Sequence, residues 1–233
     1  MREMKSPEIR REEKLPFGIG CIDQFLEGGI DPGVITQIYG EGGSGKTNMA
    51  LQLTVSALSR GERVIYVDTE GFSSNRFLQI CGGNQEYSNN LILFTPENIG
   101  EQEVCLIKAE RMMQNSKDVK LLVIDSMTAL LRIERDENLK NQGLSRDISI
   151  INTICNKYKI PVFITNQIYF DVEENQITPY GGYLLNHFSK TILSIKRTRG
   201  TGRELKIVKH RSIQDGKSVE IFVNSTGLSC TEG

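Results

Sequence analysis

Residues 40–47 read Gly40-Glu41-Gly42-Gly43-Ser44-Gly45-Lys46-Thr47, a complete G-x-x-x-x-G-K-[ST] spacing. Glycines at these positions let successive backbone N–H groups close around a polyphosphate. Lys46 supplies a cation that can reach the β- and γ-phosphates, and the Thr47 hydroxyl can ligate Mg²⁺. The apolar run Val34-Ile35-Thr36-Gln37-Ile38-Tyr39 stands before the loop, and Asn48-Met49-Ala50-Leu51-Gln52-Leu53 follows it with helical character. That strand–loop–helix context puts a helix N-terminus, with its free N–H groups and dipole, against the phosphates. A glycine-rich turn of no function demands neither Lys-Thr at this spacing nor these flanks. The reading is a site for ATP with Mg²⁺.

Three further strands end in residues that could serve such a site, because ligands of open parallel sheets sit at the carboxyl ends of strands. Asp125 closes Leu121-Leu122-Val123-Ile124, the apolar-run-then-Asp arrangement that holds Mg²⁺ in phosphate-loop enzymes. Ser126 follows it, not a glutamate, so the group that orients attacking water must come from elsewhere, and slow hydrolysis is expected. Glu70, ending Val64-Ile65-Tyr66-Val67-Asp68-Thr69, is the best candidate. Gln167, with Asn166 before it, ends the strand 161–165 and could sense the γ-phosphate through its amide. Amides that only satisfy loop backbone are the competing reading.

The elements that must position these groups follow from periodicity. Helices are predicted over about 18–26, 46–60, 73–81, 100–115 and 141–158. Buried strands are predicted at 34–39, 64–67, 91–94, 121–125 and 161–165, as continuous apolar runs between breakers. The charged stretch 131–140 and the polar stretch 169–182 read as loops. From about 190 the pattern changes to period-2 alternation, in 191–195, 204–208 and 219–223, with turns at Gly200–Gly202 and Asp215-Gly216. The predicted fold class is α/β: a phosphate-loop NTPase core with a mostly parallel twisted sheet and a C-terminal antiparallel β extension. Residues 1–13 read as a flexible polar segment and 14–233 as one core domain.

The chain has 233 residues, and no apolar run is long enough to span a membrane. The charged N-terminus is not a secretory signal. Five scattered cysteines without a C-x-x-C pair argue for reduced thiols in a cytoplasmic protein and against a zinc site. The net charge of −1 hides an asymmetry. Residues 190–217 hold nine Lys/Arg against Glu204 and Asp215, a net of +7, which leaves −8 on the rest. Such a segment suits an anionic partner such as DNA, with Arg197, Arg199 and Arg203 as leading contacts. A solvated strand face is the alternative.

In order along the chain stand Gly18-Ile19-Gly20-x-Ile22-Asp23-x-x-Leu26-x-Gly28-Gly29-Ile30, the phosphate loop, Val67-Asp68-Thr69-Glu70-Gly71, Val123-Ile124-Asp125-Ser126 and Ile164-Thr165-Asn166-Gln167. Together they resemble the RecA/RadA recombinase superfamily, with the short archaeal paralogue RadB as the nearest branch. Tyr180-Gly181-Gly182-Tyr183-Leu184-Leu185-Asn186-His187 is similar to the segment after the second DNA loop there. The resemblance runs from about Leu15 to about Val223 and implies a RecA-type fold.

It further implies that 131–140, with Arg132 and Arg135, is a first DNA loop and 168–182 a second. That second loop carries Asp171, Glu173 and Glu174 and no Lys or Arg, unlike a surface built to grip a phosphate backbone. No Phe-x-x-Ala precedes the core. These departures fit the RadB branch, which implies an ATP- and DNA-binding accessory protein of homologous recombination and DNA repair. A weak ATPase and little strand exchange of its own go with that reading. Its partners would be single-stranded or branched DNA, a RadA-type recombinase and further copies of itself. The resemblance also places Lys209 and Arg211 where basic residues reach a neighbouring subunit's γ-phosphate. Their two-residue spacing predicts a shared strand face. A strand-exchange ATPase and a KaiC-like signalling ATPase without DNA are the alternatives.

Overall fold

The computed structural model describes residues 13–171 and 176–232. The expected flexible segment falls almost wholly on 1–12, outside the described residues, as do Glu173 and Glu174 of the second loop. The segments that alternate first are α1 (Gly20–Phe25), β1 (Ile35–Gly40), α2 (Lys46–Ser59), β2 (Arg63–Asp68), α3 (Ser74–Ile80), β3 (Leu91–Phe94), α4 (Ile99–Asn115) and β4 (Val119–Asp125). Then come α5 (Ala129–Ile133), α6 (Glu137–Tyr158), β5 (Val162–Asp171), β6 (Gln176–Pro179) and α7 (Gly182–Phe188). The chain closes through β7 (Ser189–Arg197), β8 (Gly202–Lys209), β9 (Ser218–Asn224) and β10 (Gly227–Ser229).

One ten-stranded sheet runs β10-β9-β8-β7-β1-β5-β4-β2-β3, with β6 hairpinned onto β5. The six strands from β7 to β3 pair parallel; β7–β8, β8–β9 and β9–β10 pair antiparallel. This is the architecture that the RecA-type resemblance implies. The central strands are apolar throughout because both faces are covered. Val64, Tyr66, Leu121 and Val123 pack with Ile22, Met49, Leu53 and Phe77 under α1, α2 and α3. Their strand neighbours Ile65, Val67, Leu122 and Ile124 pack on the other face with Leu106, Ala109, Ile148 and Ile151 of α4 and α6. No helix among the described residues is long and apolar enough to cross a membrane.

The structure corrects three expectations. The stretch 131–140 is mostly helical: α5 holds its first residues, three residues link, and α6 starts at Glu137. The Asp136 carboxylate caps α6, accepting from Asn138 N at 2.8 Å and Leu139 N at 3.3 Å, and Lys140 pairs with Glu137 at 2.6 Å. The charges that read as loop are a helix start. The stretch 169–182 is no open loop either. β5 continues to Asp171 and pairs with β6, Ile168 facing Pro179 and Tyr169 facing Thr178, before α7 begins. Finally, not all five cysteines are free thiols: Cys21 on α1 and Cys230 after β10 are disulfide-bonded, their Cα atoms 5.7 Å apart. β10 pairs with β9 and so carries Cys230 to α1 within bridging range. Cys81, Cys105 and Cys155 are free and buried.

A buried carboxyl sits between α4 and α6. Gln102 Nε2 donates to Asp147 Oδ2 at 2.7 Å, and Asp147 is fully buried. Burial pushes its carboxyl up to about 7. In the unfolded chain it titrates near 3.9, roughly as any aspartate. Between those values the folded protein holds a proton that the unfolded chain has lost, so stability falls as pH rises through that window and is flat above it. Asp147→Asn keeps the acceptor for Gln102 and does not titrate. Its stability advantage over the wild type is expected to grow from pH 4 to pH 7, reaching on the order of 2–4 kcal/mol, then plateau. Urea unfolding across pH reads this; a gap that does not change with pH refutes it.

Candidate nucleotide site

The phosphate loop spans the turn from β1 to α2, as its flanks require. Gly43 and Gly45 take positive φ, 71° and 112°, open to glycine and costly to other residues. Gly40 admits no side chain, since a Cβ there meets Ile195 O of β7 and lies 2.7 Å from Ser44 Oγ. Gly45 caps α2 with no side-chain hydrogen bond, so the helix's first N–H groups keep no intramolecular side-chain cap. Lys46 is nearly buried, and its ammonium donates to Gly40 O and Glu41 O, both at 2.9 Å. Burial pulls its pKa down against the opposing charges of Glu70, Asp125 and Glu41. The loop is thus closed on its own lysine.

Sheet register brings the other candidates to the same edge. Asp68 of β2 faces Asp125 of β4, and Gly40 of β1 faces Gln167 of β5. Asp125 is buried; Tyr66 Oη donates to its Oδ2 at 2.7 Å and Thr165 Oγ1 to its Oδ1. Burial pushes its pKa up, while hydrogen bonds from Thr165, Tyr66 and Thr47 hold it back. Asp68, also buried, accepts from Gly71 N at 3.0 Å and so shapes the turn that carries Glu70. Glu70 Oε1 accepts from Ser126 Oγ and from Gln167 Nε2, each at 2.7 Å. The two expected hydrolytic residues, Glu70 and Gln167, are therefore in direct contact. Asn166 is structural: buried, it donates to Tyr180 O at 2.6 Å and accepts from Thr128 Oγ1 at 2.6 Å.

Sequence reasoning missed Tyr66, Thr165, Asp68 and Ser126. One signal was available, since a tyrosine inside an aliphatic buried strand must find a partner for its hydroxyl.

The expected DNA-contacting arginines separate. Arg132 on α5, Arg135 in the link before α6, and Arg197 and Arg199 at the β7–β8 turn are all exposed. Arg132, on α5, donates to Gln167 Oε1 and lies 5.8 Å from the centre of the Tyr180 ring. Arg203 departs from expectation: it is only 7% exposed, with Nη1 bound to Thr201 O and Gly202 O. Its Nε has no partner among the described residues and lies 3.7 Å from where a Gly45 Cβ would be. Burial and neighbouring Arg197 both lower its pKa. Arg203 packs behind the phosphate loop and is not accessible to a DNA backbone.

Lys209 and Arg211 lie elsewhere. β8 runs antiparallel to β7, so its C-terminal end points away from the chain's own phosphate loop. Lys209 donates to Asn186 O at 2.9 Å and Ser189 O at 2.8 Å, closing the end of α7. Arg211 is exposed and lies past the strand, so the expected shared strand face does not exist. His210 is a turn residue: its Nδ1 accepts from Ser212 N and Ile213 N, both at 3.1 Å, and Nε2 lies 3.4 Å from Asp31. Burial pulls its pKa down, with Asp31 opposing. Lys209→Ala, which strips two carbonyls of their donor, is expected to cost on the order of 1–3 kcal/mol in urea unfolding. Arg211→Ala is expected to stay within roughly 0.5 kcal/mol. Equal effects would contradict the division of labour.

Comparison with known proteins bears on the family and the fold. A family model described as Rad51 matches residues 10–229. The "DNA repair and recombination protein RadB" of Thermoplasma volcanium is 39% identical over 220 residues, covering 94% of this chain and 93% of the relative. The protein of the same description from Methanococcoides burtonii is 38% identical, over 93% of this chain and 98% of its own. A solved structure described as a crystal structure of the RadB recombinase superposes with a TM-score of 0.82 at 32% identity, covering 94% of this chain and all of that one. With both family model and relatives matched over nearly their whole length, the chain belongs to the Rad51 family, alongside the RadB proteins.

Proposed function

We propose that this chain is an ATP- and DNA-binding accessory protein of homologous recombination and DNA repair. It works in the cytoplasm, hydrolyses ATP slowly and acts beside a RadA-type recombinase. The observation that carries the reading is the convergence of the uncapped α2 N-terminus, Lys46, Asp125 and the Glu70–Gln167 pair at one sheet edge. The RadB descriptions of the relatives supply the biological setting.

The residues fit a Mg²⁺–nucleotide. The donor set of Thr47 hydroxyl and Asp125 carboxylate is hard oxygen, and the Thr47 hydroxyl is near enough to Asp125 to help hold its pKa down. Thr47 and Asp125 would hold the ion, which, when bound, neutralises charge on the β/γ-phosphate oxygens. Lys46 exchanges its bonds to Gly40 O and Glu41 O for phosphate oxygens. Glu70, held by Ser126 and Gln167, orients a water for attack. With Ser126 where a second carboxylate could stand, only Glu70 is left for that task, and hydrolysis is slow. Lys209 is occupied by Asn186 O and Ser189 O, so of the two basic residues only the exposed Arg211, remote from the chain's own loop, is left to reach a neighbouring subunit's nucleotide. Arg135, Arg197 and Arg199 offer exposed cations to DNA.

Lys46→Ala is expected to abolish retention of ATP with the fold intact by circular dichroism; tight ATP binding by that variant sinks the reading. Wild-type turnover should fall well below the roughly 10 s⁻¹ typical of enzymes. Glu70→Gln should lower turnover while leaving nucleotide affinity unchanged, and equal loss of both would make Glu70 structural. For DNA, Arg197→Ala and Arg199→Ala should each flatten the log K against log salt slope on single strands by about 0.7. Unaltered slopes in both variants would move the contact off the β7–β8 turn.

A further inference from the structure

Arg132 lies on α5, outside the carboxylate set, yet it is bound into it. Its Nη1 donates to Gln167 Oε1, Gln167 Nε2 donates to Glu70 Oε1 at 2.7 Å, and Ser126 Oγ donates to the same carboxylate oxygen at 2.7 Å. Only one orientation of the amide satisfies this chain. A guanidinium has donors and no acceptor, and an ionised carboxylate has acceptors and no donor. The carboxamide between them must turn its oxygen to Arg132 and its NH₂ to Glu70. The last torsion of a glutamine is broad and roughly two-fold, so nothing local to Gln167 sets this orientation.

Arg132 is itself held. Its guanidinium stands 5.8 Å from the Tyr180 ring centre, and Tyr180 N donates to Gln167 O at 2.9 Å, tying the base of the β5–β6 hairpin to the same residue. Its charge also reaches Lys46 across the site. Arg135, three residues on, is exposed like Arg132, but among the described residues only its backbone N–H is bonded, to Glu134.

We propose that Arg132 is a positioning residue of the nucleotide site, fixing the Gln167 carboxamide against Glu70, and not a contact for the DNA backbone. This rests on the reading above that Glu70 and Gln167 face the γ-phosphate. By holding the amide oxygen, the guanidinium keeps the NH₂ group on the carboxylate and so fixes the direction in which Glu70 presents itself to water. The helix that the sequence marks as part of a DNA loop thereby belongs to the hydrolytic apparatus.

Two measurements test this on the full chain. The first needs no nucleotide. The side-chain amide resonances of Gln167, assigned by their loss in Gln167→Ala, should shift and exchange faster with solvent in Arg132→Ala. Arg132→Lys, which keeps a single donor, should restore them in part. Amide resonances that do not respond to Arg132→Ala overturn the proposal, whatever the protein does with ATP.

The second is a double-mutant cycle on turnover with saturating Mg²⁺ and ATP. Arg132→Ala should lower turnover about tenfold while nucleotide Kd moves less than about twofold. Arg132→Ala/Gln167→Ala should be no slower than Gln167→Ala alone. Independent, multiplying losses overturn the proposal. So does unchanged turnover with a salt slope on single-stranded DNA flattened by about 0.7, which makes Arg132 a phosphate contact. A wild type that retains no ATP fails the reading of the site itself, and the amide resonances still decide the placement of Arg132.

Discussion

The constraint on which the site depends is the unmet hydrogen-bonding capacity where β1 turns into α2. A helix begins at Lys46 behind a left-handed glycine that offers no side-chain cap. Its N–H groups and dipole call for an anion. The protein cannot cap this helix without filling the cradle, and it cannot place a side chain at Gly40 without striking β7. The parallel register then does the rest. Because β1, β2, β4 and β5 run the same way, whatever ends them gathers at the same edge. The residues there are Glu70, Asp125 and Gln167, together with the lysine that the loop itself supplies.

Burial sharpens these groups. Lys46 and Asp125 are both withdrawn from water, which penalises their charged forms in opposite senses: the ammonium's pKa falls and the carboxyl's rises. Each is offset by partners the fold provides, the acids around Lys46 and the hydroxyls of Tyr66, Thr165 and Thr47 around Asp125. A metal and a polyphosphate would complete the same compensation more fully, since they bring the missing opposite charges. Asp147 shows the contrast. It is buried with Gln102 as its hydrogen-bond donor and Glu103 as the neighbouring charge, and its carboxyl rises to about 7. Burial alone therefore does not mark a site. Burial beside groups that need the same missing ligand does.

The legible parts of the chain were those where cause is local. Buried parallel strands announce themselves as unbroken apolar runs because both faces are covered, and the phosphate loop is a fixed spacing between a strand and a helix. Glu70 and Asp125 were legible at strand ends once the strands were known; Gln167 was legible as a site residue, but it lies inside β5, at the last position paired with β1, and the strand runs on to Asp171. What was not legible depends on partners distant in sequence or on caps. The charges at 134–140 read as a loop until Asp136 is seen capping α6. The polar stretch after Gln167 reads as a loop until β6 is seen pairing with β5. Cys21 and Cys230 lie 209 residues apart, and only the pairing of β10 with β9 brings them together. Spacing could not reveal that Lys209 closes a helix and Arg211 leaves the strand.

Charge pattern misled in one instructive place. Residues 190–217 are strongly basic, which by composition alone suggests one continuous surface for a polyanion. The fold divides that charge. Lys196 is paired with Glu204 at 2.6 Å, Lys209 is spent on backbone carbonyls, and Arg203 is buried behind the phosphate loop. Arg197 and Arg203 stand opposite one another on β7 and β8, where like charges repel. Their guanidinium groups come within 3.6 and 3.7 Å of where side chains would be at Gly43 and Gly45. The repulsion between them is lowest when negative charge sits on that loop, so this pair adds to the loop's demand for a polyphosphate. The basic segment is thus divided between an exposed turn carrying Arg197 and Arg199 and a buried flank, Arg203, set against the phosphate loop.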